Sequence, residues 1–182
     1  MGPILLVYST TDGHTRRICE RLQEVVQSQG VATLLRHLPE CTDADVAASG
    51  AIVLGASIRY GKHKPEVTAF ITRHQTVLES RPSALFSVNV VARKPEKNTP
   101  ETNPYMQKFL RTLTWKPRLM AVFAGYLNYP SLGALDRTMI RFIMWMTKGP
   151  TDPTAVVEFT DWTKVEAFGR QIVEQLAGGR AR

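Results

Sequence analysis

A three-layer α/β fold, with helices on both faces of a five-stranded parallel sheet, is what this sequence predicts. Three observations predict it. Short apolar runs recur at Ile4–Val7, Val31–Leu35, Ala51–Leu54, Ser83–Val91 and Leu119–Ala124. Segments with a 3.6-residue apolar period alternate with them, the pattern of strands joined by crossover helices. The run Ala51–Leu54 is apolar at every position, as in a strand covered on both faces. The 182 residues suffice for one well-buried core, so a single domain over residues 1–182 is expected.

The first strand ends in the hydroxyl-rich residues Ser9, Thr10 and Thr11, followed by Asp12 and Gly13. A helix comes next, with Ile18, Leu22, Val25 and Val26 on one face. Strand, small polar loop and helix start together place free backbone N–H groups and a helix N-terminus around an anion. Ser9, Thr10, Thr11 and Thr15 add hydroxyl donors, and Gly13 permits a positive φ or a close backbone approach. The loop lacks both a P-loop lysine and a GxGxxG fingerprint. Two readings stand at this point: a monophosphate site built from hydroxyls and amides, or an ordinary strand-to-helix turn capped by Thr11 or Asp12.

The first helix should stop at Gly30, a residue suited to the position just past a helix end. After the strand Val31–Leu35, Pro39 to Asp45 reads as a polar connection. The strand Ala51–Leu54 ends in GASIRYG, Gly55–Gly61, a second loop rich in small residues. Pro65 sits where a first-turn proline belongs. Val67, Phe70, Ile71, His74, Val77 and Leu78 then line one helical face, and His74 reads as a core or boundary histidine. The strand Ser83–Val91 runs into residues 92–103, which carry two prolines and several charges with no apolar period, and read as a loop. Asn103 and Pro104 make an N-cap and first helical residue for a helix carrying Met106, Phe109, Leu110 and Leu113. The fifth strand ends at Gly125. The last helix starts near Thr160 and Asp161, burying Trp162, Val165, Ile172, Val173 and Leu176, and residues 178–182 are expected to fray.

In an open α/β sheet, ligands bind beyond the carboxyl ends of the strands. Residues 9–15, 55–61 and those from Val88 onward all lie at such ends, so they point to one shared site. Between the fifth strand and the last helix lies an insertion, residues 126–156, with a helix over Leu132–Lys148. At ~100° per residue, Leu132, Leu135, Met139, Phe142, Ile143 and Met146 fall on one side. Arg137, Arg141 and Lys148 fall opposite, with Trp145 near the boundary. Such a helix either lies in a membrane interface, through Leu135, Met139, Phe142, Ile143, Trp145 and Met146, or packs its apolar face onto the domain. Gly149-Pro150 closes it, and Ala155–Phe159 is expected to resume the sheet edge.

The formal net charge of +7 favours anionic partners: nucleic acid, acidic headgroups or a polycarboxylate substrate. The aromatic residues are not interleaved with Lys and Arg in a stacking pattern, which argues against nucleic acid. Cys19 and Cys41 have no CxxC spacing and read as reduced thiols of a cytosolic protein, Cys19 as buried filler. No metal site is expected. No apolar run approaches the ~20 residues of a spanning helix, and Met-Gly-Pro leads straight into a strand without a secretory signal. A soluble or peripheral protein is expected.

The first loop resembles the phosphate loop of flavodoxins, an aromatic residue followed by G-S-x-T-G-N-T. Tyr8-Ser9-Thr10-Thr11-Asp12-Gly13-His14-Thr15 matches it without a gap, with Thr10, Gly13 and Thr15 on the hydroxyl and glycine positions. Asp12 stands where flavodoxins carry threonine; it either caps the helix or pairs with Arg16 or Arg17. GASIRYG, SVNVVARKPEKNTPETN and LDRTMIRFIMWM resemble one subfamily over nearly the whole chain, the flavodoxin-like, menaquinone-dependent protoporphyrinogen IX dehydrogenases.

The resemblance implies a flavodoxin-like sheet of order 2-1-3-4-5, bound FMN, and oxidation of protoporphyrinogen IX to protoporphyrin IX in heme biosynthesis. It implies electron transfer to menaquinone or ubiquinone at the cytoplasmic side of the inner (plasma) membrane, with the protein peripheral on an anionic surface. The FMN-binding residues it implies are Ser9, Thr10, Thr11, Asp12, Gly13, His14 and Thr15; Ser57, Ile58, Arg59, Tyr60 and Gly61; and Ser87, Val88, Asn89, Val90, Val91, Ala92 and Arg93. Tyr60 is the expected stacking ring. Basic residues cluster beside these loops, and Arg59, Lys62, Arg93 and Lys94 are the candidates to receive the substrate propionates. No side-chain acid or base is obligatory; His63 is the histidine nearest the ring and the candidate proton shuttle. The alternatives are a flavodoxin-like electron carrier and an NAD(P)H:quinone reductase. A positive charge with a basic amphipathic insertion fits a carrier badly, since carriers of this fold are typically acidic.

Overall fold

The computed structural model describes residues 2–177, so the expectation for residues 178–182 lies outside the described residues. The chain begins with β1 (Ile4–Ser9), α1 (His14–Ser28), β2 (Thr33–His37), α2 (Asp43–Ala48) and β3 (Ala51–Arg59). It continues with β4 (Lys62–His63), α3 (Pro65–Arg73), α4 (Gln75–Ser80), β5 (Ser83–Val88), α5 (Pro104–Leu110) and β6 (Leu119–Phe123). The insertion contributes β7 (Tyr126–Asn128), α6 (Ala134–Met146) and β8 (Val156–Glu158), and α7 (Trp162–Ile172) follows. The principal sheet runs β2-β1-β3-β5-β6, all parallel, which is the expected order once the short β4 is allowed for.

Alternation along the strands divides the core in two, because successive side chains leave the sheet on opposite faces. On one face Leu5, Val7, Ile52, Leu54 and Leu85 meet Val46, Val67, Phe70, Leu78, Met106 and Trp115. On the other, Ile4, Leu6, Val53 and Phe86 meet Ile18, Leu22 and Val26 of α1 and Val165, Phe168 and Ile172 of α7. Cys19 belongs to this second layer, fully buried, and burial pushes its thiol well above the usual range. His74 sits at the boundary, between α3 and α4, packed on Phe70 with Asp43 3.5 Å away. The face expected to be one helix is broken there into two short ones.

Three expectations change in ways that matter for the site. The segment Gly55–Arg59 is not a loop: it prolongs β3 by five residues, and Tyr60-Gly61 turn the chain into β4. Both turn residues have positive φ, 51° and 76°, the two-residue geometry whose twist matches a hairpin. The fourth predicted strand ends at Val88, after which Val90–Arg93 form a 3₁₀ turn tied to Asn89, whose side chain accepts from the Ala92 N–H. Ala155–Phe159 does not rejoin the main sheet. Val156–Glu158 pairs antiparallel with Tyr126–Asn128, and this two-stranded stem carries α6. Beneath α6, Leu127, Tyr129 and Met144 form a third small core with Val90, Leu132, Ile140 and Phe159.

Candidate functional site

The carboxyl ends of β1, β3, β5 and β6 open into one cleft, with about 1130 Å³ of empty space including its mouth. The floor comes from the loop after β1, where Thr10, Thr11, Asp12, His14 and Thr15 line it. Gly13 makes the turn itself: its φ of 78° lies in the left-handed region, and it precedes α1 with no side-chain cap. Thr11 and Asp12 therefore do not cap the helix, contrary to one expectation. The first amides of α1 are left facing the cleft end of the loop, where an anion is favoured by the unpaired N–H groups and the helix dipole.

Four buried side-chain atoms have no hydrogen-bond partner among the described residues: Thr10 Oγ1, His14 Nδ1, Thr15 Oγ1 and Ser57 Oγ. All four belong to residues lining this cleft. An unpaired buried polar atom costs about 1–3 kcal/mol, so four in one cleft, three of them from residues at the start of α1 and one from β3, mark a cradle built for a polar ligand. Hydroxyls and amides converging at an α-helix N-terminus are the donor set of a phosphate site. Asp12 does not spoil it. Its carboxylate is half-exposed and lies 3.7 Å from Arg59 Nη1, which offsets its charge, so the expected pairing with Arg16 or Arg17 is replaced. Arg16 pairs instead with Glu20, and Arg17 with Glu158.

The cleft walls come from Ser57, Ile58, Arg59, Tyr60 and Gly61 on one side and Val88, Asn89, Val90, Val91 and Arg93 on the other. Tyr60 is exposed at the tip of the hairpin, with the Arg59 guanidinium 5.5 Å from its ring centroid. Three residues expected here lie behind the wall. Ser9 is fully buried and its hydroxyl donates to Glu66 at 2.6 Å. Ser87 is taken up by His63, its Oγ 3.0 Å from the ring Nε2. Ala92 is the buried residue of the 3₁₀ turn itself.

His63 is likewise outside the lining. Its ring packs on Phe109 at 4.2 Å between centroids, and desolvation pushes its pKa down to about 4. The imidazole, hydrogen-bonded to Ser87, thus stands outside the cleft lining, where the expected proton shuttle would not reach the cleft directly. The cations also differ from expectation. Arg59 binds Asp12 and Asp136, and Arg93 donates to the carbonyls of Val90 and Thr147 and to the Thr147 hydroxyl. Lys64 donates to the Thr10 carbonyl at 2.7 Å. These three groups brace the site. Lys62 and Lys94 are outside the lining and in no ion pair among the described residues.

A third wall is not foreseen from the sequence. Tyr105 of α5, Gly125, Tyr126, Leu127, Asn128, Ser131, Leu132, Ile140, Ile143 and Met144 also line the cleft. The strand-end rule applied to Gly125 would have found the first part; the inward face of α6 has no sequence signal of its own. Ile143, expected on the outer apolar face, turns into the cleft with Ile140 and Met144. Arg137 and Arg141 do not form a free basic face, since they donate to backbone carbonyls of Tyr129, Leu132 and Thr151. The remaining outer face stays bare: Leu135 is 83% exposed, Phe142 56% and Trp145 70%, with Met139 and Met146 beside them.

A family model described as a flavodoxin domain matches residues 5–154. The protoporphyrinogen IX dehydrogenase (quinone) of Escherichia coli strain K12 is 42% identical over 168 residues, covering 92% of this chain and 93% of that protein. The chain belongs to the flavodoxin-domain family of protoporphyrinogen IX dehydrogenases. A relative of the same name from Leishmania major is 41% identical over 165 residues, covering 90% of this chain and 71% of that protein. Among solved structures, a flavodoxin from the domain Archaea has a TM-score of 0.55 at 16% identity, covering 96% of this chain and 99% of that one, which establishes the fold alone. For a flavodoxin domain the cofactor is a flavin, and the unpaired atoms of Thr10, His14 and Thr15 around the start of α1, with Ser57 of β3, fit its phosphate end.

Proposed function

We propose that this chain is an FMN-dependent dehydrogenase that oxidises protoporphyrinogen IX to protoporphyrin IX and passes the electrons to a membrane quinone, menaquinone or ubiquinone. The observation that carries the reading is the two-sided character of α6. Its inner face, Ile140, Ile143 and Met144, walls the cleft, while its outer face presents Leu135, Met139, Phe142, Trp145 and Met146 to the exterior. A carrier that docks briefly on soluble partners has no use for such a face; an enzyme that meets a membrane-dissolved acceptor does. The names of the relatives, at 41% and 42% identity, point to the same substrate and acceptor class.

FMN rather than a dinucleotide suits the cradle, because a single terminal phosphate satisfies hydroxyls gathered at one helix start. Thr10, Thr15 and Ser57 would hold it, with Gly13 shaping the turn and Asp12 held aside by Arg59. The flavin ring would lie between residues 57–61 and 88–93, with Tyr60 as the covering ring. When bound, FMN supplies two-electron redox chemistry, used three times for the six electrons that separate porphyrinogen from porphyrin. Val88, Val90, Ile140 and Met144 make the surroundings apolar and keep water from the reacting edge. Lys62 and Lys94, each one residue beyond a lining residue, are the free cations that would steer the propionates, while Arg59 and Arg93 hold the walls.

The positive net charge and the bare face of α6 together suit an anionic bilayer, and the proposed location is peripheral, on the cytoplasmic side of the inner membrane. No helix among the described residues is long and apolar enough to cross a membrane. The test is anaerobic: FMN-loaded protein, protoporphyrinogen IX and a quinone, with porphyrin fluorescence as the readout.

A further inference from the structure

His14 opens α1 and lines the floor of the cleft, buried, with Nδ1 lacking a partner among the described residues. Its other nitrogen is committed. Nε2 lies 2.6 Å from Thr160 Oγ1 and 3.3 Å from Glu158 Oε1. The single hydroxyl proton of Thr160 is donated to the Ala124 carbonyl at 2.8 Å, so toward His14 that hydroxyl only accepts. Nε2 therefore carries the proton of the neutral ring, and Nδ1 is a bare lone pair in the cradle. A lone pair facing an oxyanion is a mismatch; a proton on Nδ1 converts it into a charge-assisted hydrogen bond.

We infer that His14 is a proton-linked ligand of the flavin phosphate: as the phosphate enters, Nδ1 takes up one proton from solvent, and the imidazolium bridges the phosphate and Glu158. This rests on the proposed FMN reading. The groups that face the ring are Asp12 from the loop, Arg17 from α1 and Glu158 from β8. The uncharged neighbours are Thr160, the stacked Tyr126 ring at 5.7 Å and the edge of Trp162 at 6.0 Å. Without the phosphate, burial pushes the His14 pKa down; Glu158 opposes that, Arg17 adds to it, and Asp12 opposes it. A phosphate dianion beside Nδ1 reverses the balance. Glu158 belongs to the stem of the insertion, so the same proton ties the phosphate loop to the element that carries α6.

Above pH ~6 a free phosphomonoester is a dianion, so the complex holds one proton more than the separated partners. Affinity for FMN then falls as pH rises, by up to about tenfold per unit, until the bound His14 loses its proton. Below pH ~6 the free phosphate carries the proton itself and the dependence flattens.

Calorimetric titration of FMN at about pH 7.5, in buffers of different ionisation enthalpy, counts the protons directly. Wild-type protein is expected to take up close to one proton per FMN, and none with riboflavin. His14→Asn and His14→Gln, both checked for an unchanged melting profile, are expected to bind FMN without proton uptake and with affinity independent of pH above 7. Tight FMN binding by the wild type without uptake, or uptake that persists in both variants, overturns the inference and leaves the proposed function standing. A wild-type protein that binds no FMN at all overturns the proposed function itself.

Discussion

Arg59 at the end of β3 and Asp136 in the first turn of α6 meet at the mouth of the cleft, although 77 positions separate them in sequence. The same guanidinium reaches Asp12 of the phosphate loop, so one side chain joins floor, wall and insertion. At the other end of α6, Arg93 binds the carbonyl and hydroxyl of Thr147. The insertion is thus pinned over the cleft at both ends by arginines from the walls.

Asp136→Asn should therefore loosen α6 locally. The pair is partly exposed, so the global cost should stay under ~1 kcal/mol and the melting point should fall by less than about 4 °C. Limited proteolysis should cut within residues 126–156 several-fold faster than in the wild type. Unchanged cleavage would show that the pair does not hold the insertion.

The two faces of α6 should answer differently to the same polar substitution. Phe142→Ser with Met146→Ser should release the protein from anionic vesicles in a flotation assay while leaving stability within ~0.5 kcal/mol. Met144→Ser, on the buried inner side, should cost ~2–4 kcal/mol in urea unfolding. A comparable loss of stability from the outer pair would mean that Phe142 and Met146 belong to a core.

Removing a cradle hydroxyl should weaken FMN through its phosphate alone. A hydrogen bond to a charged group is worth ~1.5–3 kcal/mol, so Thr15→Val should raise the FMN dissociation constant about 10- to 100-fold. Riboflavin affinity should stay within about twofold, since it has no phosphate to lose. Equal losses for both flavins in a fluorescence titration would place Thr15 elsewhere in the site.

Fold and site were unequally readable in the sequence. The strand runs, the Asn103-Pro104 helix start and the Thr10–Thr15 loop announce themselves because each depends on local chemistry: period, capping and hydroxyl content. The hairpin turn at Tyr60-Gly61 does not, because a tyrosine at φ 51° is set by the pairing of Arg59 with Lys62 and not by its own preference. The bracing contacts of Arg59 and Arg93 are not legible in the sequence for a different reason. A cation beside a ligand loop looks free until a partner from another segment, Asp136 or Thr147, is folded against it. His63 looks available in the sequence for the same reason; the packing of Phe109 and Ser87 around it keeps it out of the cleft lining.

That burial of His63 carries a pH dependence. Its folded pKa, near 4, lies below the ordinary 6.5, so the unfolded chain binds the proton more tightly. Stability is full above about pH 6.5 and is lost as pH falls toward 4, by at most ~3 kcal/mol from this group. His14 and His74, lowered chiefly by burial, act in the same direction. His63→Gln should flatten the urea midpoint between about pH 6.5 and 4 relative to the wild type. A wild-type midpoint constant across that interval would contradict the assignment.

The most direct measurement is porphyrin formation without air. Purified protein loaded with FMN, given protoporphyrinogen IX and a menaquinone or ubiquinone analogue under anaerobic conditions, should generate porphyrin fluorescence that depends on the quinone and disappears without FMN. A dimethyl ester of the substrate, lacking the propionate charges, should raise KM more than it lowers kcat. Demonstrably bound flavin with no quinone-dependent porphyrin would contradict the account and leave an electron carrier on the same fold.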